Sequence, residues 1–105
     1  MFKKSYRLNT SLFKEVFNFG NTIKNNYFLI KIKKNGLKHS RFSVVVSKKV
    51  AKKAYERNYL KRKAFHALKE IYKQMPVSDY VFILNSQTKD LQYRDLIKKL
   101  KEIQF

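Results

Sequence analysis

Val46-Ser47-Lys48-Lys49-Val50-Ala51-Lys52-Lys53-Ala54-Tyr55-Glu56-Arg57-Asn58-Tyr59-Leu60-Lys61-Arg62-Lys63 carries a hydrophobic strand run into a cluster of cations, and the cations continue into the first turns of a helix. The apolar positions of that helix are Leu60, Ala64, Ala67, Leu68, Ile71 and Met75. They recur at three- and four-residue spacing, so they form one buried stripe. At about 100° per residue, Arg57 and Lys61 lie beside the stripe one turn apart, and Asn58 and Arg62 form the next ridge towards solvent. The sequence thus predicts a forked basic edge on a rigid helix.

A Lys-rich helix face is ordinarily just solvated. Here Lys61, Arg62 and Lys63 are consecutive and have no acidic residue four positions away on either side, so nothing local offsets their repulsion. They also crowd the first turns, where cations oppose the helix dipole. An external polyanion would remove that cost. Arg57 and Arg62 suit bidentate contacts to phosphate oxygens, and Asn58, a donor and an acceptor at once, suits a sugar hydroxyl or base edge. Glu56 is expected to orient Arg57.

These residues resemble the signature of the bacterial ribonuclease P protein subunit, in which Arg-Asn-x-x-Lys-Arg follows a strand ending in Ser/Ala-Lys-Lys. Here the match is Ser47-Lys48-Lys49 with Arg57-Asn58-Tyr59-Leu60-Lys61-Arg62. Further likeness lies in Arg7-Leu8, Phe13-x-x-x-Phe17, Asn26-Tyr27-Phe28, Asp79-Tyr80-Val81 and Leu91-x-Tyr93-x-Asp95-Leu96, so nearly the whole chain is covered. Many family members carry Arg where Tyr59 and Phe65 stand, and the position of Lys63 is often apolar. The resemblance implies that Lys48, Lys49, Lys52, Lys53, Arg57, Asn58, Lys61 and Arg62 bind the RNA subunit. It also implies a cleft beside Phe13 and Phe17 that holds the single-stranded 5′ leader of precursor tRNA.

Composition sets the outer limits. A chain of 105 residues with 44% hydrophobic content can bury one core as a single domain without metal or disulfides. A formal charge of +18 attracts polyanions, nucleic acid before an anionic membrane. No apolar run is long enough to cross a bilayer, and Met1-Phe2-Lys3-Lys4 leads into polar residues instead of a signal-peptide core. A cytoplasmic location is expected, and the absence of Cys agrees with a reducing compartment.

From Thr10 to Phe19 a short helix is expected, with Asn9 or Thr10 as N-cap, Gly20 as the stop, and Leu12, Phe13, Val16 and Phe17 on one face. Spacing alone reads both Phe residues as core; the resemblance reads them as a stacking platform for unpaired bases. Tyr27 to Lys33 alternates, with Phe28, Ile30 and Ile32 inward. After the Asn35-Gly36 turn, His39 to Ser47 alternates again, with Phe42, Val44 and Val46 inward. These two strands are expected to pair antiparallel, placing Tyr27, Lys31, Lys33, Arg41 and Ser43 on one outer surface. Such a face is ordinarily solvated sheet; with Phe13 and Phe17 it would make a basic, aromatic groove. Some family members carry an aromatic at Lys31, where a phosphate contact would replace stacking.

Met75-Pro76 ends the basic helix near Gln74, Tyr80 to Leu84 reads as a fully buried central strand, and a last helix packs Leu91 or Tyr93 with Leu96, Ile97, Leu100 and Ile103. The fold class is therefore α+β, one two-layer domain over residues 1–105 in the order α-β-β-(β)-α-β-α. Rules of connection favour a right-handed crossover around the basic helix. The resemblance implies the left-handed crossover of ribosomal S5 domain 2-like folds instead, and is followed here.

Catalytic patterns are sparse. His39 and His66 lack patterned carboxylate partners and read as surface residues, and the seven acidic residues are scattered singly. Asp90 and Asp95 suit capping and a helix start better than metal ligation. No metal ligand, protein cofactor or catalytic side chain is assigned. The resemblance implies that leader hydrolysis belongs to the RNA subunit with Mg2+, the protein acting as a monomer in a 1:1 complex that also binds precursor tRNA. A structural ribosomal-type RNA-binding protein and a nonspecific DNA-binding protein are the alternatives.

Overall fold

The structure, a computed structural model, describes residues 6–103; the Met1-Phe2-Lys3-Lys4 run lies outside the described residues. The elements are α1 (Thr10–Phe19), β1 (Asn21–Lys24), β2 (Phe28–Lys33), β3 (Arg41–Val46), α2 (Ala54–Ile71), β4 (Asp79–Leu84) and α3 (Tyr93–Lys101). Tight 3₁₀ turns at Tyr72–Gln74 and Ser86–Asp90 flank β4. The mixed α+β class and the helix positions agree with the sequence reading.

The sheet departs from it. Strand order is β1-β2-β4-β3, with β2 antiparallel and β3 parallel to β4. β2 and β3 run in opposite directions as expected, but they do not pair, because β4 lies between them. The reason is visible in β4 itself: Tyr80, Val81 and Phe82 are all buried, so no face of this strand tolerates water, and a central position shelters both faces and both edges. β1 pairs with β2 on its other edge, so the extra strand precedes β2 instead of splitting β3.

Alternation sorts the sheet into two faces. Phe28, Ile30, Phe42, Val44, Val46, Tyr80, Phe82 and Leu84 meet Leu60, Ala64, Phe65, Ala67, Leu68 and Ile71 of α2 and Leu96 and Leu100 of α3 in one core. On the opposite face α1 covers β2 and β4, with Val16 as its buried side chain. Asn9 caps α1, its Oδ1 accepting from the Leu12 N–H at 2.9 Å. Gly20 ends α1 for lack of space and not for a left-handed backbone. A Cβ there would stand 2.5 Å from the Val16 carbonyl oxygen and 2.9 Å from that of Ile32. Gly20→Ala is accordingly expected to cost about 1 to 3 kcal/mol in denaturant unfolding. A change below about 0.5 kcal/mol would show that the α1–β1 corner yields freely.

Candidate nucleic-acid interface

The loop between β3 and α2 is fastened at several points. The Ser47 carbonyl accepts from the N–H groups of Val50 (3.1 Å) and Ala51 (3.2 Å), and both of these side chains are buried. Arg57 reaches back from α2, and its Nη1 donates to the carbonyls of Ala51 (3.0 Å) and Lys52 (2.7 Å). Lys48, Lys49, Lys52 and Lys53 are exposed on this clamped loop, so their backbone is held while their ammonium groups remain in solvent. Lys53 Nζ lies 5.7 Å from the centre of the exposed Tyr55 ring.

Arg57 is therefore a loop clamp as well as a cation. Glu56 does not orient it, contrary to the sequence expectation, but pairs with Lys89 at 3.6 Å. Residues adjacent on a helix point about 100° apart, which separates the two. Asn58, Lys61 and Arg62 instead line a depression of about 460 Å³ together with Arg7, Tyr55 and Phe65. Arg7 is the member of this depression that no spacing in the sequence connects to the helix. It arrives because the N-terminal segment covers the free edge of β3: Arg7 bridges Phe42 in parallel and the Leu8 N–H donates to the Phe42 carbonyl at 3.0 Å. Its guanidinium then stacks over Phe65 at 5.2 Å. Among the described residues, no ion pair engages Lys48, Lys49, Lys52, Lys53, Arg57, Lys61 or Arg62.

The second surface is the sheet face beneath α1. Phe13 and Phe17 stack on each other, centroids 5.8 Å apart and planes at 18°. Phe13 is half-buried and Phe17 is 42% exposed, so the outer ring is not packed away as core. Lys31 Nζ stands 5.9 Å from the Phe17 centroid and donates to Thr22 Oγ1 at 2.6 Å. Ser43 shares its row of the sheet across Val81. Phe19, three residues after the buried Val16 and on the apolar spacing, is nonetheless 77% exposed, because it stands at the very end of α1.

Three expected groove residues are otherwise engaged. Lys33 pairs with Glu15 of α1 at 2.6 Å. Arg41 makes a bidentate pair with the buried Asp79, Nε to Oδ1 at 2.8 Å and Nη2 to Oδ2 at 2.7 Å, and its pKa is raised further by that hydrogen-bonded partner. Tyr27 leaves the alternation before β2 begins. Its ring lies under Lys99 of α3, 5.5 Å from Nζ, in a hollow shared with Ile23 and Ile103, on the side of α3 and not of α1. His66 is exposed as expected, whereas His39 is half-buried edge-on to Tyr6 at 4.5 Å. No helix among the described residues is long and apolar enough to cross a membrane.

A family model described as Ribonuclease P matches residues 2–104. The chain is 33% identical over 102 residues to the ribonuclease P protein component of Streptococcus thermophilus, covering 96% of this chain and 91% of that one. It is 37% identical over 97 residues to the ribonuclease P protein component of Clostridioides difficile, covering 87% and 81%. In three dimensions it is similar to the RNase P protein of Thermotoga maritima, with a TM-score of 0.81 at 28% identity over 94% of this chain and 98% of that one. Sequence and fold agree over nearly all of its length, and the chain belongs to the ribonuclease P protein family.

Proposed function

We propose that this chain is the protein subunit of a ribonuclease P holoenzyme, binding the catalytic RNA subunit along its basic edge and the 5′ leader of precursor tRNA in the groove beside α1. It thereby assists endonucleolytic removal of the leader in tRNA 5′ maturation. One observation carries this reading: cations free of ion pairs are held in fixed register by a backbone-clamped loop and a rigid helix. Preorganised donors lose little freedom on meeting phosphate, and each neutralised phosphate releases counterions.

The chemistry is assigned to the RNA, with Mg2+ as its metal. Four of the seven carboxylates, Glu15, Asp79, Glu56 and Glu102, are paired with Lys33, Arg41, Lys89 and Lys99 in separate places. Among the described residues no three acidic or His side chains gather in one site. What the chain supplies is positive potential between two polyanions, and an orientation of the leader.

The test is to add the purified chain to a bacterial ribonuclease P RNA at low Mg2+ and measure leader cleavage. Stimulation is expected, and its absence at saturating protein rejects the reading in favour of a structural RNA-binding role. The groove has its own test. Phe17→Leu should weaken binding of the RNA–protein complex to precursor tRNA by about 1 to 2 kcal/mol while leaving mature tRNA unaffected, because stacking is lost only when unpaired bases are present. Tyr27→Ala should leave leader binding intact, since its ring lies on the side of α3. A loss at Phe17 that is independent of leader length would show that the ring serves packing alone.

A further inference from the structure

Beside the fork lies a second aromatic cavity, of about 730 Å³, between α2 and the start of α3. Its walls are Tyr59, His66 and Tyr93; Tyr59 is 58% exposed and Tyr93 36%. Its floor is Leu91, whose carbonyl accepts from Lys63 Nζ, so that lysine braces the floor and its charge is already engaged. The Tyr93 hydroxyl donates to Glu70 Oε1 at 3.0 Å, which fixes the direction of the ring. Gln92 precedes α3 without using its side chain as a cap, so its amide stays available at the rim. Arg62 belongs to this cavity and also to the depression lined by Arg7, Asn58 and Lys61.

We propose that this cavity receives one unpaired nucleotide of the RNA whose backbone lies along the basic edge, an inference that rests on the RNA-binding reading above. The cavity falls within the range of about 300 to 1,000 Å³ typical of small-ligand sites, with aromatic walls for a base and an amide for its edge. Arg62 at the shared rim holds the phosphate, so a nucleotide extruded from the strand on the fork enters the cavity without any further linker. Charge selects a nucleotide over an apolar peptide: Arg62 carries no ion pair among the described residues, while the nearby Glu56 and Glu70 are engaged by Lys89 and Tyr93. Stacking between aromatic walls then favours strands with a looped-out base over continuous duplex.

The test compares two short RNA duplexes of equal length, one fully paired and one with a single bulged 2-aminopurine, binding the intact protein. The wild type should bind the bulged duplex about tenfold more tightly and quench its fluorescence. Tyr59→Ala and Tyr93→Ala should each remove the preference and the quenching, with affinity for the paired duplex held within about twofold. Tyr59→Phe, which keeps the ring, should retain both and so separates stacking from misfolding. Equal affinity for the two duplexes, or a preference that survives both alanine substitutions, overturns the cavity assignment while leaving the basic edge standing. Failure to bind either duplex overturns the RNA-binding reading and this inference together.

Discussion

Replacing Lys61 and Arg62 together by alanine is expected to weaken binding to ribonuclease P RNA by about 2 to 5 kcal/mol and to flatten the salt dependence of log K by about 1.5 to 2. Folding should not suffer. Both side chains stand near the middle of α2, and Lys61 lies one turn from the like charge of Arg57, so the unfolding midpoint should hold or rise. Arg57→Ala should behave differently. Its guanidinium ties the carbonyls of Ala51 and Lys52, so its removal should lower stability by about 1 to 3 kcal/mol and weaken RNA binding indirectly, by loosening the four loop lysines. Lys69→Ala and Lys73→Ala, exposed at the far end of the helix, are the controls for diffuse charge. Anisotropy titrations across a chloride series, with circular dichroism melts of each variant, separate these outcomes. Equal affinity losses per cation removed across all four variants, with unchanged melts, would mean that only total charge matters.

Local chemistry made the helices legible. Asn9 and Gly20 bracket α1, the stripe from Leu60 to Ile71 defines α2, and Leu96 and Leu100 anchor α3; each signal lies within a few residues of what it specifies. The errors share a different cause. Asn35-Gly36 has the turn chemistry of a hairpin, and Gly36 does take φ of +67° with the Leu37 N–H bonded to Asn35 Oδ1, yet the turn spans a gap that β4 later fills. β1 has one apolar residue, Ile23, and exists because β2 offers it an edge. In the site, Glu56 and Arg57 look like partners because they are neighbours in sequence, but helix geometry points them apart. Arg41 reads in sequence as an outer-face groove residue because Asp79 is 38 positions away, and no spacing rule connects them. The unpaired cations of the loop and helix could be read from the sequence because charge without a nearby opposite charge is itself a local pattern. The state of the groove could not, since it depends on which strand lies between which.

Asp79→Ala is expected to cost about 3 to 5 kcal/mol, the penalty for leaving a largely buried cation without its partner. Asp79 is 4% exposed and opens β4, where it faces Arg41 in the parallel register with β3. It accepts both guanidinium bonds and a third from Asn35 Nδ2 at 2.9 Å, so one substitution strands a charge and an amide. Around it the same corner is knotted by the Ser78 N–H donating to Ser40 Oγ (3.2 Å) and the Arg41 N–H donating to the Ser78 carbonyl (3.1 Å). The corner fixes which residue of β3 meets which of β4, and β4 is the strand with which both β2 and β3 pair. A loss of this size in a domain near 100 residues lowers the melting midpoint by more than about 10 °C. In the Asp79→Ala background, a further Arg41→Ala should cost little or restore stability, because the unpaired charge is then gone. Asp79→Asn adds the functional half of the argument. It keeps the size and an acceptor while releasing Arg41 from its counter-charge, so the folded variant should bind leader-bearing precursor tRNA more tightly at low salt while being less stable. If Asp79→Ala unfolds like a surface substitution, the pair does not hold the β3–β4 register. If Asp79→Asn leaves leader affinity unchanged across the salt series, Arg41 does not face the leader even when freed, and the groove ends at the row of Lys31 and Ser43.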